Sequence, residues 1–308
     1  MNTYLKYQPP GVQFFAFLGL AGGFIVLNSL LTHFFFSDLT AVLLDKTATI
    51  KPEMVVQFKA AQAMSAIISF LLPALLLGYF SSPKALPYIG VQPRINVLLV
   101  LVSLLFLVAV QPFVGWIGSL NSKINFGSLQ QTMQETEATY NRALQAFLKM
   151  RGVGDVLINL VIMALLPAIA EEAFFRGAFQ KVLLRLTKMP VVAIVFSASI
   201  FALLHGTIFK FLPIFTLGLM LGVIYHVTRN LWYTIIIHFM NNGLAVLTVY
   251  FSPKYPMLEK LANDEVTVQW YTALLSLAVA IGFILFMYNK SLEVLPASTT
   301  EEDIDYIA

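Results

Sequence analysis

Two glutamates and an arginine, Glu171, Glu172 and Arg176, lie close together in a sequence segment, 155–180, that is otherwise almost wholly apolar. The segment is long enough to cross a bilayer as a helix, which takes about 20 apolar residues. Each charged side chain near the centre of such a helix costs roughly 2.5–3.5 kcal/mol on insertion scales. The protein therefore has to compensate these charges internally, and ionisable groups at this depth are candidates for proton-transfer chemistry.

The spacing of these residues predicts a division of roles. Glu172 and Arg176 are four residues apart, so they face the same side of a helix in the favourable acid-before-base order. Glu171 lies about 100° around the axis, and its partner is expected on another helix. Pro167 removes one backbone donor and frees the carbonyl of Met163, which predicts a bend that admits water. On these residues alone, a buried ion network that only locks helices together is an equally good interpretation.

Two further apolar segments carry polar residues at helical spacing. Phe201 and His205 are four residues apart, as are His238 and Asn242, so each pair shares one helix face. With 1.5 Å of rise per residue, Glu171, His205, His238 and Asn242 lie roughly 13, 22, 10 and 16 Å from the predicted inner helix ends. A single His or Asn in an apolar helix is more often structural than catalytic. The combination is rarer than its parts and predicts one shared layer.

The chain as a whole has the composition of a polytopic membrane protein. Hydrophobic residues make up 58% and charged residues 11% of the sequence, and the mean hydropathy is +0.80. We therefore predict an all-α fold with about eight transmembrane helices. The predicted spans are about 12–36, 60–80, 96–120, 156–179, 190–209, 211–228, 231–251 and 270–289.

The spans suggest three parts. Residues 1–154 contain the first three helices, of which the first is expected to be retained rather than cleaved, and the polar segment 121–155. Residues 155–250 form the predicted core, and 251–308 comprise the last helix and an acidic tail, from Ser291, that we expect to be disordered. Segment 121–155 has spaced apolar residues, which predicts an amphipathic helix over one end of the bundle. It could gate access, although a solvated connector is the simpler interpretation.

Several classes of function are excluded or disfavoured. The chain has no Cys, which excludes disulfides, thiolate metal ligands, a cysteine nucleophile and lipidation at cysteine. The basic residues are scattered, so no nucleic-acid partner is expected. Loops 81–95 and 181–189 are short, basic and free of acids, which favours a cytoplasmic location for both termini. His33 and His226 are placed near predicted helix ends, where an interfacial role explains them.

The three polar groups of the core follow one another on successive helices in an order typical of one family. They are Glu171-Glu172-xxx-Arg176, Phe201-xxx-His205 and His238-xxx-Asn242. This pattern resembles the CPBP family, the intramembrane proteases related to the CAAX prenyl endopeptidase and to bacteriocin self-immunity proteins. The resemblance covers about residues 155–250, and residues 1–151 carry no matching motif.

The resemblance implies roles for the matching residues. Glu171 with His205 would activate water, and His238 with Asn242 would hold the developing oxyanion. Glu172 and Arg176 would shape the site. A desolvated carboxylate suits general-base work, and preorganised donors in a dry site stabilise a tetrahedral intermediate.

Metal dependence is open at this stage. Glu171, His205 and His238 could hold zinc with one open position, but no His-Glu-x-x-His motif is present. The resembling family has been described both as metalloproteases and as metal-independent glutamate proteases. No cofactor is assured by the sequence, and we favour metal-independent hydrolysis.

The resulting hypothesis is an intramembrane endopeptidase that cleaves a peptide or protein substrate near the cytoplasmic leaflet of a bacterial plasma membrane. The family name suggests a prenylated C-terminal peptide. A proton- or ion-coupled transporter is a second interpretation, because carboxylates and His at mid-membrane also serve proton relays. A non-catalytic membrane scaffold or immunity protein is a third.

Overall fold

The structure, a computed structural model, describes residues 3–44, 50–262 and 267–294. No strand occurs among these residues, and the fold is all-α as predicted. The helices longer than one turn are α1 Pro10–Phe35, α2 Ser37–Leu44, α3 Met54–Ser81, α4 Val97–Asn121, α5 Gln130–Phe147, α6 Val153–Thr187, α7 Pro190–Leu204, α8 Phe211–Thr228, α9 Leu231–Phe251, α10 Pro256–Ala262 and α11 Trp270–Val294.

Within the described ranges, seven helices are long and apolar enough to cross a membrane, namely α1, α3, α4, α6, α8, α9 and α11. The predicted eighth span, 190–209, is shorter than the sequence suggested. Its helix, α7, has 15 residues and rises about 22 Å, which is less than the roughly 30 Å of a bilayer core. The helix ends at Leu204 because the chain turns at Gly206, whose φ of 69° is left-handed.

Helix α6 is interrupted where its proline predicted a disturbance. A π-helical turn, Leu160–Leu165, precedes Pro167, and a second one, Ala173–Gln180, follows the two glutamates. A wider turn relieves the clash between a proline ring and the preceding carbonyls, and π turns are frequent at functional sites. The site carboxylates therefore lie on a short α-helical stretch between two widened turns.

Two apolar clusters hold the bundle together. One joins α1, α3, α6, α7 and α9 through buried aromatic and aliphatic side chains such as Phe17, Leu77, Phe175 and Phe201. The other joins α4, α8, α9 and α11. The candidate active site, described below, lies between these clusters, because its residues come from α6, α7, α8 and α9.

Gly19 and Gly23 on α1, and Gly218 and Gly222 on α8, each have the small-xxx-small spacing that lets membrane helices approach closely, and this spacing predicts a packing site at each pair. A Cβ on Gly222 would lie 2.9 Å from Ile194 Cγ2, and one on Gly218 would lie 3.2 Å from the Cβ of Ala198, so α8 packs closely on α7. At Gly19 and Gly23, nothing within the described residues lies within 4 Å of the added atom. The described residues therefore confirm the packing site on α8, and on α1 the prediction is wrong within the described chain.

Helix α5 is the amphipathic helix expected in segment 121–155, and none of its residues is fully buried. Asn159 on α6 donates to the Phe147 carbonyl over 3.1 Å, and Thr207 Oγ1 donates to Glu137 Oε2 over 2.5 Å. The helix therefore lies against the turn between α7 and α8. In the predicted acidic tail, residues 291–294 belong to α11, and 295–308 lie outside the described residues.

Candidate active site

Glu172 lies at the centre of a buried ion network. Its Oε1 accepts from Arg176 Nη1 over 3.0 Å and lies 2.9 Å from His238 Nδ1. Glu172, Arg176 and His238 are 0%, 1% and 5% exposed. The predicted pair on α6 is present, and it extends to a histidine on α9.

The guanidinium of Arg176 also contacts α8 and α7. Its Nη2 donates to the Gly218 carbonyl over 3.0 Å, and its guanidinium carbon lies 4.6 Å from the centre of the Phe201 ring. Charge-assisted hydrogen bonds and a cation–π contact both stabilise a desolvated guanidinium. The close approach that Gly218 permits thus provides one of the compensating groups for the buried charge.

Glu171 faces a group on another helix, His238 on α9, as its position around α6 predicted. Its Oε2 lies 3.9 Å from His238 Nε2, which is too long for a hydrogen bond. That oxygen is buried and has no hydrogen-bond partner within the described residues. A buried carboxylate oxygen without a donor is suited to receiving a proton from a small polar molecule.

His205 is the residue at which α7 ends, so it lies in a turn and not within a transmembrane helix. Its Nδ1 is 2.8 Å from the Phe201 carbonyl oxygen. Because a carbonyl can only accept, Nδ1 carries the proton, and a neutral ring then offers its Nε2 lone pair. His205 and Glu171 form no direct hydrogen bond or ion pair with each other; the nearest imidazole to Glu171 belongs to His238.

A cavity of about 150 Å³ lies between His205 and His238. Its walls come from α7, the turn that follows it, α8 and α9. The polar lining consists of His205, His238, Asn241 and Asn242, and the remainder is apolar. The structure thus brings His205, His238 and Asn242 together around one space, with Glu171 adjacent through His238.

Two successive hydrogen bonds between side-chain amides, which the sequence did not predict, end at this cavity. Gln111 Nε2 on α4 donates to Asn241 Oδ1 over 3.3 Å, and Asn241 Nδ2 donates to Asn242 Oδ1 over 3.3 Å. With its oxygen engaged, Asn242 retains its amide N–H groups for a ligand. Only the Asn241-Asn242 dipeptide hinted at this arrangement, since Gln111 is 130 residues away.

Helix α5 contributes to the electrostatics around the site. Burial raises the pKa of Tyr140, Lys210 acts against this shift, and the carboxylates of Glu137 and Glu171 act in its favour. The phenol therefore stays protonated at neutral pH. The negative charge of Glu171 is thus one of the causes of the raised pKa of Tyr140 on α5. The sequence periodicity predicted only that Tyr140 lies on one face of a helix.

The candidate zinc ligands are Glu171, His205 and His238. Among the described residues, no set of three His, Asp or Glu side chains is arranged to hold a metal ion. His238 directs Nδ1 at Glu172, and Glu171 lies 3.9 Å from its other nitrogen. The 3.9 Å separates two donor atoms and is not a donor–metal distance, so zinc at Glu171, His205 and His238 stays a hypothesis.

The fold and site define a polytopic membrane protein with a buried carboxylate and histidine centre inside its helix bundle. Residues 153–244, less than a third of the chain, match the family model described as Type II CAAX prenyl endopeptidase Rce1-like, so this segment is similar to that family. The resemblance inferred from the motifs is confirmed. The matched segment contains α6, α7, α8, most of α9 and all seven motif residues. No curated protein and no solved structure matches the chain.

Proposed function

We propose that the chain is an intramembrane endopeptidase that hydrolyses a peptide bond with a water molecule activated by Glu171 and His205. The observation that carries this proposal is the cavity on which His205, His238 and Asn242 meet, together with Glu171, which does not line the cavity but lies 3.9 Å from His238 Nε2. The Rce1-like match supports the protease class. The location that follows is a bacterial inner membrane, with a peptide or protein substrate.

In this mechanism, the water oxygen attacks the scissile carbonyl carbon while a proton passes to Glu171 or to His205 Nε2. The carbonyl oxygen becomes an oxyanion, and the C–N bond then breaks as the stored proton moves to the leaving nitrogen. General acid–base groups of this kind typically contribute about 10²–10⁴-fold to the rate. All atoms are supplied by water and the peptide.

The oxyanion is stabilised by donors from α9. Asn242 offers an amide N–H because its oxygen accepts from Asn241. His238 directs Nδ1 at Glu172, which leaves Nε2, on the side of Glu171, as the ring nitrogen that faces the oxyanion. Two preorganised donors in a site sheltered from water stabilise such a charge strongly.

The first test needs no known substrate. New protein N- and C-termini are compared in membranes from cells that express the wild type, Glu171→Gln or the matched control Glu259→Gln at equal abundance. Glu259 is an exposed carboxylate on α10, outside the site. We expect a set of termini that depends on Glu171 and is retained in the control.

A second arm uses purified protein and an internally quenched farnesylated CAAX peptide, since the matched family is named for prenyl endopeptidases. Unchanged termini in folded Glu171→Gln would contradict the protease assignment. Proton-dependent flux in reconstituted vesicles would then support a carrier. Partner binding that survives Glu171→Gln would support a scaffold.

A further inference from the structure

A second and larger cavity lies away from the candidate active site. Its volume is about 530 Å³, within the roughly 300–1,000 Å³ typical of small-molecule sites. One wall is residues 148–151, which directly follow α5, and the other is formed by 249–254 at the end of α9. The proposed hydrolysis uses none of these residues.

The lining of this cavity is basic. It includes Lys149, Arg151 and Lys254, and none of its lining residues is acidic. These three side chains are exposed and form no salt bridge with any described carboxylate. The nearest acid along the chain, Asp155, accepts the backbone N–H of Arg151 over 2.9 Å. The lining itself therefore carries three positive charges and no negative one, with the Asp155 carboxylate beside Arg151.

Its position places it at the membrane boundary. Helix α9 is a candidate membrane span, and Lys254 follows its last residues. Tyr250, in the cavity wall, and the exposed Tyr255 flank the same helix end, as aromatic residues do at membrane–water interfaces. A ligand in this cavity would meet lipid headgroups on one side and α5 on the other.

We propose that this cavity binds the phosphate group of an anionic lipid. Arginine engages phosphate oxygens in pairs and lysines act as point charges, which together suit a phosphodiester. The apolar end of α9 lies beside the acyl-chain region, which favours a lipid over a free phosphate. A bound headgroup would also connect α9 with the end of α5, the helix that lies over the active-site turn.

The test measures lipid binding to the full-length protein in nanodiscs of phosphatidylcholine, with and without phosphatidylglycerol, by native mass spectrometry. The variant is Lys149→Gln/Lys254→Gln. The matched control, Lys123→Gln/Lys260→Gln, removes two exposed lysines at the same end of the bundle, where α4 and α9 both terminate. Basic residues near a membrane surface contribute about 1 kcal/mol each, so we expect about a tenfold or greater loss of retained phosphatidylglycerol in the variant only.

Equal losses in both double variants would overturn the proposal, because they would reflect general surface charge. Displacement of phosphatidylglycerol by millimolar inorganic phosphate would assign the site to soluble phosphate and would overturn the lipid assignment. Thermal unfolding of each variant checks that the fold is retained, and single Lys254→Gln, with an expected loss of about fivefold for one charge, repeats the test if the double variant unfolds. Since binding is measured without cleavage, failure here is distinct from failure of the proposed protease activity.

Discussion

His238 lies between the two adjacent glutamates of α6, with Nδ1 2.9 Å from Glu172 Oε1 and Nε2 3.9 Å from Glu171 Oε2. Oε2 of each carboxylate is buried without a hydrogen-bond partner in the described chain, and the two glutamates differ because Glu172 Oε1 also accepts from Arg176, whereas no hydrogen bond joins Glu171 to another described side chain. One glutamate therefore fixes the imidazole, and the other remains available for proton transfer.

Breaking the Glu172 network should destabilise the protein. Removal of one partner of a buried pair leaves an uncompensated charge and typically costs about 3–5 kcal/mol. We expect Arg176→Met to lower the thermal unfolding midpoint in detergent markedly. The exposed pair of Lys290 and Glu293 is the control, and Lys290→Met should change stability by less than about 1 kcal/mol. A similar small effect for both substitutions would show that the Arg176 pair is not required for stability.

His205 should affect catalysis more than folding, because it lies in a turn and is only partly buried. We expect His205→Gln to reduce kcat about 10²-fold or more while the unfolding midpoint stays near that of the wild type. His33→Gln, at an exposed histidine on α1, serves as the control. Activity close to wild type in His205→Gln would assign proton transfer to Glu171 alone.

The hydrogen bond from Asn241 to Asn242 predicts that substitutions at these two residues have coupled effects on kcat. Loss of an oxyanion donor costs about 10²–10³-fold in kcat, which is the effect expected for Asn242→Ala. Asn241→Ala should give a smaller loss, since it only releases the orientation of Asn242. In the Asn242→Ala background, Asn241→Ala should have no further effect on kcat. Additive losses in this double-mutant cycle would mean that Asn241 acts independently.

The two glycine patterns provide a matched test of helix packing. Gly222→Ala would place a Cβ 2.9 Å from Ile194 Cγ2 and 3.0 Å from Gln180 Oε1, so the Ile194 side chain or the helix has to shift. Overpacking of this kind costs about 1–3 kcal/mol. Gly23→Ala meets nothing described within 4 Å, and it should be neutral or slightly stabilising. Destabilisation by Gly23→Ala would indicate a packing partner for α1 beyond the described residues.

Much of the site could be predicted from local sequence. Four-residue spacing placed Arg176 beside Glu172, and the 100° offset of Glu171 required a partner on another helix. Pro167 predicted a disturbance of α6 that takes the form of a π turn. These inferences succeeded because they depend on interactions within one or two helical turns. For Glu171, the sequence predicted that a partner on another helix is required, but not which residue it is.

The sequence alone determined that this is an all-α membrane protein with buried charges on one helix, since composition and periodicity follow directly from the solvent that each residue meets. Only the tertiary structure decided that His238 bonds Glu172, that α7 ends before His205 and that Gln111 reaches Asn241. Each of these depends on how far one helix slides and turns against another. Such displacements are set by the packing of many side chains at once, such as those around Gly218 and Phe201, and no local pattern encodes them.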